Sequence, residues 1–207
     1  RFGDKDLYAS PNPKNDFHYT YNDFKENIIR LGTAFMDLGW KGQKIAVIGE
    51  AHPAYMTTYY AAAITGNVIV PLDKELQIEE VANFLNRAKA VAVVYMPSMN
   101  DTIIHFSDRL ETLQYFIPVA PEKQENDKIL PYSALIEKGK KLYADGNHAF
   151  DTLPIDMEKM CTLLFTSGTT GTSKGVMLSM KNLAAAANDA CKTVIFNDTN
   201  RFLSVLP

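Results

Sequence analysis

The spacing of apolar side chains along the chain predicts a run of alternating helices and strands. Phe24, Ile28, Leu31, Phe35 and Leu38 recur at steps of four and three, which puts them on one stripe of a helix over Tyr21–Leu38. Thr20 followed three residues later by Asp23 is a helix-start signal, and Gly39 suits a left-handed stop. Lys44–Gly49 then reads as a short buried strand. Pro53 fits the first turn of a second helix ending near Gly66, and Val68–Leu72 is another strand. Ile78, Val81, Leu85 and Ala88 mark a third helix, followed by a buried strand over Ala90–Tyr95. Farther on, Tyr115–Ala120 reads as a strand, Tyr132–Tyr143 as a helix, Cys161–Thr166 as a strand and Lys181–Thr193 as an alanine-rich helix. Arg201–Leu206 begins one more strand, and Glu122–Lys128 is charged enough to be a surface loop.

Strands that are apolar throughout and alternate with amphipathic helices imply an α/β fold: an open, mostly parallel sheet with helices on both faces. Residues 51–72 contain no Asp, Glu, Lys or Arg, which raises the question of a membrane span. Pro53, Thr57, Thr58 and the Thr65-Gly66-Asn67 turn break the run, so it is expected to be buried core. Tyr55, Tyr59 and Tyr60 are assigned to that core. The amino-terminal RFGDKDLYAS has no apolar signal core, and a cytoplasmic location is expected.

Composition narrows the picture further. A hydrophobic fraction of 46% with 22% charged residues is ordinary for a globular chain with a core. A formal net charge of -3 argues against nucleic acid as partner. The two cysteines, Cys161 and Cys191, sit in apolar sequence and read as buried thiols rather than a metal or disulfide set. His18, His52, His105 and His148 are scattered without metal or triad spacing, and read as surface or helix-end residues.

The segment with the most chemistry is TSGTTGTSKG, comprising Thr166, Ser167, Gly168, Thr169, Thr170, Gly171, Thr172, Ser173, Lys174 and Gly175. It directly follows an apolar strand. Glycines let backbone N–H groups converge on an anion, hydroxyls add donors, and Lys174 adds a point charge suited to nucleotide phosphates. A flexible linker would not stand between two structured segments. Nor is this a Walker A loop. Lys174 lies six residues after Gly168, but Ser173 replaces the glycine before the lysine and Gly175 replaces the following Ser or Thr. Val176-Met177-Leu178-Ser179 continues as a strand where Walker A opens into a helix.

The stretch LLFTSGTTGTSKGVMLSMKNL resembles the phosphate loop of the adenylate-forming (AMP-binding) superfamily of acyl-CoA synthetases, luciferases and peptide-synthetase adenylation domains. YTYNDFKENIIRLGTAFMDLGWKGQKIAVIGE resembles that family's first helix and strand. YYAAAITGNVIVPLDKEL resembles its next motif, which marks Asp73 and Glu75 as turn residues rather than a catalytic pair. The wording around the loop is most similar to the long-chain acyl-CoA synthetase branch. Ser173 stands where many relatives have proline. Met180 stands where many have histidine, and is expected to pack rather than to act on the nucleotide.

The resemblance implies that residues 1–207 are the incomplete front part of an amino-terminal adenylation domain, with the carboxy-terminal domain absent. It implies ATP, Mg²⁺ and CoA as cofactors and a carboxylic acid, in particular a fatty acid, as substrate. The expected reaction passes through acyl-AMP to acyl-CoA. Thr166 through Gly175 would hold phosphates, with Thr166 also on the Mg²⁺ side. No catalytic residue is assigned within the chain, and the chain alone is expected to be inactive. A lipid substrate would bring contact with a membrane surface, and a truncated sheet would favour self-association. A peptide-synthetase-type adenylation domain, or a non-catalytic nucleotide- or partner-binding module, remain as alternatives.

Overall fold

The computed structural model describes residues 2–9, 18–105, 107–120, 127–166, 173–193, 197 and 200–202. Strands β1 (Asp6–Ala9) and β2 (His18–Thr20) form a small antiparallel pair ahead of the main body. Helix α1 (Tyr21–Asp37) starts at a reciprocal cap. The Asp23 N–H donates to Thr20 Oγ1 at 3.1 Å, and the Thr20 N–H donates to the Asp23 carboxylate at 2.9 Å. Ile28, Leu31 and Phe35 of its stripe are buried.

Strand β3 (Lys44–Ile48) leads through α2 (Pro53–Ile64) into β4 (Val68–Leu72), and α3 (Ile78–Ala88) leads into β5 (Ala92–Tyr95). The short α4 (Asn100–His105) precedes β6 (Tyr115–Pro118). Helix α5 (Tyr132–Ala144) then precedes β7 (Met160–Thr166), β8 (Lys174–Ser179) and α6 (Met180–Thr193). The main sheet has the order β6-β5-β3-β4-β7-β8, parallel everywhere except for the antiparallel final pair. The expected α/β class and mostly parallel sheet are therefore what the chain adopts.

Side chains of the central strands alternate between two apolar layers. Ala46, Ile48, Val70, Leu72, Val93 and Tyr95 pack with Val81, Phe84 and Leu85 of α3. Ile45, Val47, Ile69 and Val94 pack with Leu31 and Phe35 of α1, Ala61 of α2 and Leu135 of α5. The uncharged run is thus accounted for as a buried helix, a turn and a strand. Thr57, Thr58 and Thr65 can be buried because each hydroxyl donates to a carbonyl four residues back, at 2.7–2.9 Å. Asn67, fully buried, joins the turn to neighbouring loops. Its amide donates to the Trp40 carbonyl and its oxygen accepts from the Gln43 N–H. Among the described residues no helix is long and apolar enough to cross a membrane.

Helix α5 lies across α1 at a close crossing that needs a glycine. A Cβ on Gly139 would come within 1.7 Å of the Arg30 carbonyl oxygen. A Lys138–Asp37 ion pair at 2.7 Å accompanies that crossing.

Several expectations are corrected. Cys161 is buried but Cys191 is exposed, because no described element covers α6, none of whose residues is buried. Tyr55 and Tyr59 pack on the core, whereas Tyr60 is exposed and meets Phe24 edge-on at the surface. The strand over Tyr115–Ala120 ends at Pro118. Arg201 and Phe202 are not in a strand, and residues 203–207 lie outside the described residues, as do residues 122–126 of the charged loop.

Candidate functional site

Because β7 runs parallel to β4, with Ile69 opposite Thr162, Thr166 emerges at the same edge of the sheet as Leu72 and Ile48. That edge, outside the carboxyl ends of parallel strands, is where open α/β sheets place ligand-binding loops. The chain returns as β8 with Thr166 opposite Lys174, Phe165 opposite Gly175 and Leu164 opposite Val176. The described ends of the glycine- and hydroxyl-rich segment, Thr166 and Lys174, are therefore paired across the two strands. Thr166, Lys174 and Gly175 are exposed there, and Ser173 is half-buried. Ser167, Gly168, Thr169, Thr170, Gly171 and Thr172 lie outside the described residues.

Thr166 and Lys174 bring a hydroxyl and an ammonium side by side. Both are hydrogen-bond donors, and an exposed ammonium needs no burial to remain charged. Among the described residues no acidic side chain pairs with Lys174. The pair therefore suits an anion. Among the described residues there is also no group of three His, Cys, Asp or Glu side chains able to hold a metal.

The hairpin is fastened to the body mainly by side chains. Its ladder to β4 has a single registered pair, Ile69 with Thr162. Thr162 Oγ1, fully buried, lies 2.5 Å from Tyr59 Oη on α2. On the opposite face, Phe165 stacks on Phe84 of α3, ring centroids 4.3 Å apart and planes within 2°. The Arg87 guanidinium lies 5.4 Å from the centre of the same Phe165 ring, and its Nη2 donates to the Ser173 carbonyl at 2.9 Å. Local periodicity does not point to these contacts. Arg87 reads as an ordinary solvated helix residue, and Phe165 as one more apolar strand position.

At the far end of β8, the Ser179 and Asn182 side chains cap α6. The Asn182 N–H donates to Ser179 Oγ at 3.3 Å, and the Ser179 N–H donates to Asn182 Oδ1 at 2.9 Å. Met180 follows at once, half-buried beside a cavity of 260 Å³ with Cys161 and Ala63. With a rise of about 3.3 Å per residue, it lies about 20 Å along the strand from Lys174. Its half-buried place beside that cavity is that of a packing side chain. Of the four histidines, His18, His105 and His148 are exposed, and His52 caps α2, its Nδ1 accepting from the Ala54 N–H at 3.1 Å. The Asp73 carboxylate accepts from the Glu75 N–H at 2.9 Å, a local turn contact.

In sequence and in fold the chain is similar to known proteins. The chain is 27% identical over 171 residues to 4-hydroxybutyrate–CoA ligase 2 of Metallosphaera sedula, covering 78% of this chain and 30% of that protein. It is 25% identical over 183 residues to a long-chain-fatty-acid–CoA ligase of Thermus thermophilus, covering 88% of this chain and 32% of that one. Its fold matches the crystal structure of the anthranilate CoA ligase AuaEII in complex with anthranoyl-AMP, with a TM-score of 0.70 at 18% identity. That match covers 90% of this chain and 34% of the other. The chain thus spans about a third of the length of the curated relatives it matches. The sequence also matches a family along its whole length, residues 1–207, and the chain belongs to that family, the AMP-binding enzymes.

Proposed function

We propose that the protein carrying this chain activates a carboxylic acid, and specifically a fatty acid, as its adenylate and then transfers the acyl group to CoA. The chain itself forms the front part of the adenylation domain and is catalytically incomplete alone. One observation carries the reading: Thr166 and Lys174 face each other across the hairpin that flanks the glycine-rich segment, at the carboxyl edge of a parallel sheet. Membership of the AMP-binding enzymes supports it, as do relatives that are named acid–CoA ligases.

In the first half-reaction a carboxylate oxygen attacks the α-phosphorus of ATP, and the bond to the β-phosphate bridging oxygen breaks. Negative charge gathers on departing pyrophosphate. Donors fixed in advance stabilise that charge best, because they need no reorganisation during the step. Lys174 and Thr166 are assigned to it, together with the Ser173 and Gly175 backbone and the intervening residues 167–172. The donor set fits phosphate better than bare metal. Mg²⁺ would be held chiefly through the nucleotide, with Thr166 beside it, and when bound it neutralises phosphate charge. In the second half-reaction the CoA thiol attacks the acyl carbon and AMP departs. No residue of this chain is assigned to CoA.

The test is to supply the protein with Mg–ATP, CoA and short, medium and long fatty acids, and to quantify AMP and acyl-CoA. AMP formed in step with acyl-CoA, and only with acid present, is the expected result. Formation of ADP instead of AMP, or acid-independent hydrolysis, would refute the reading.

A further inference from the structure

Phe84 and Arg87 are three residues apart on α3 and so neighbour each other on one helix face. Both reach the same aromatic ring. Phe84 stacks flat on Phe165, and Arg87 lies 5.4 Å from its centre. Arg87 also extends to the other stem of the hairpin, donating to the Ser173 carbonyl across 86 residues of sequence. One side chain thus touches the penultimate residue of β7 and the residue just before β8. Arg87 itself stays exposed, so both contacts are made at the surface.

The Ser173 carbonyl and the Lys174 N–H belong to one planar peptide unit. Holding that carbonyl therefore fixes the orientation of the peptide from which the Lys174 side chain departs. The backbone ladder does little to fix the hairpin relative to the body, since β7 meets β4 at one registered pair. Arginine suits such a clasp because its planar fork can stack and donate at once, whereas an ammonium presents a point charge.

We infer that Arg87 is a positioning residue of the phosphate site, clasping Phe165 and Ser173 so that Lys174 is aimed at its phosphate contact. This rests on the proposed role of Lys174. It assigns Arg87 no contact with substrate. Its effect passes through the Ser173–Lys174 peptide.

Hydrogen–deuterium exchange tests the clasp without any assumption about activity. The protein would be compared as wild type, Arg87→Met, Arg87→Lys, Phe165→Leu and the Arg87→Met/Phe165→Leu double variant. Loss of one net hydrogen bond corresponds to about fivefold faster opening. Arg87→Met should therefore speed exchange in the peptide spanning Ser173–Ser179 about fivefold, with Lys44–Ile48 unchanged as an internal control. Arg87→Lys should fall between, and the double variant should be less than additive. In steady-state kinetics Arg87→Met should lower kcat for acid-dependent ATP turnover with the KM for the acid unchanged. Wild-type exchange rates in Arg87→Met, or strictly additive effects with Phe165→Leu, would overturn the inference. If the wild-type protein shows no acid-dependent turnover, the functional reading fails. The exchange data then still decide whether the clasp exists.

Discussion

Tyr59 Oη and Thr162 Oγ1 lie 2.5 Å apart, joining helix α2 to strand β7 at the only position where β7 is registered against β4. The contact closes a gap of 103 residues in sequence and sits where the ladder is thinnest. Thr162 is fully buried, so its hydroxyl has few other partners; the nearby Cys161 Sγ is at 3.7 Å. Tyr59→Phe should leave that hydroxyl without its strongest partner, at a cost of about 1–2 kcal/mol. A urea titration would read this as a lower midpoint with an unchanged slope. An unaltered midpoint would show that the contact contributes nothing.

The α1–α5 crossing gives a sharper steric prediction. In isolation Gly139→Ala would favour the helix by about 1 kcal/mol. Here the new methyl would meet the Arg30 carbonyl oxygen at 1.7 Å, and a backbone atom cannot move aside as a flexible side chain can. The helices must separate, so a net loss of about 2 kcal/mol is expected. Thermal unfolding decides it. A raised Tm would mean that the helices are not closely apposed at this point.

His52 links stability to pH. Burial holds its imidazole below the ordinary 6.5, against an opposing pull from Glu50. Only an unprotonated Nδ1 can accept the Ala54 N–H that caps α2. Below the unfolded pKa the unfolded chain takes up a proton that the folded chain resists. Stability is therefore full above 6.5 and falls as pH drops toward the folded value. Urea midpoints measured from about pH 7 to about pH 5.5 should decline in the wild type and decline less in His52→Asn, which keeps a cap acceptor. Equal slopes in the two proteins would remove His52 from the explanation.

Much of the fold was legible because its signals are local. Stripes such as Ile28–Leu31–Phe35 and continuous runs such as Ala92–Tyr95 declare a helix and a buried strand within a few residues. The β1–β2 pair was not, since its strands are short, polar-flanked and only half-buried. Cys191 misled for a related reason. Its alanine-rich surroundings look like core, yet whether such a helix is covered depends on elements far away. At the candidate site, the sequence names the hydroxyls, glycines and lysine, of which Thr166, Ser173, Lys174 and Gly175 are among the described residues. The Phe84–Phe165 stack and the Arg87–Ser173 bond could not, because periodicity carries no information about partners 81 or 86 residues distant.

Lys174 is the one side-chain cation assigned to phosphate. Lys174→Ala should slow adenylation by removing a charge-assisted contact with departing pyrophosphate, worth roughly 1.5–3 kcal/mol. That corresponds to about ten- to a hundredfold in rate, toward the low end if neighbouring hydroxyls compensate. Stability should be unaffected, as Lys174 is exposed. Single-turnover formation of acyl-AMP gives the rate of the step directly. A mutant rate equal to wild type, with chemistry limiting, would leave backbone donors to do this work.

Adenylation is the central step proposed for the protein, and isotope exchange measures that step alone. The protein would be given ATP, Mg²⁺, radiolabelled pyrophosphate and a fatty acid, with no CoA. Reversible acyl-AMP formation should move label from pyrophosphate into ATP only when the acid is present, and should weaken in Lys174→Ala. Absence of exchange with every acid in a series from short to long chains, or exchange equally fast without acid, would contradict it.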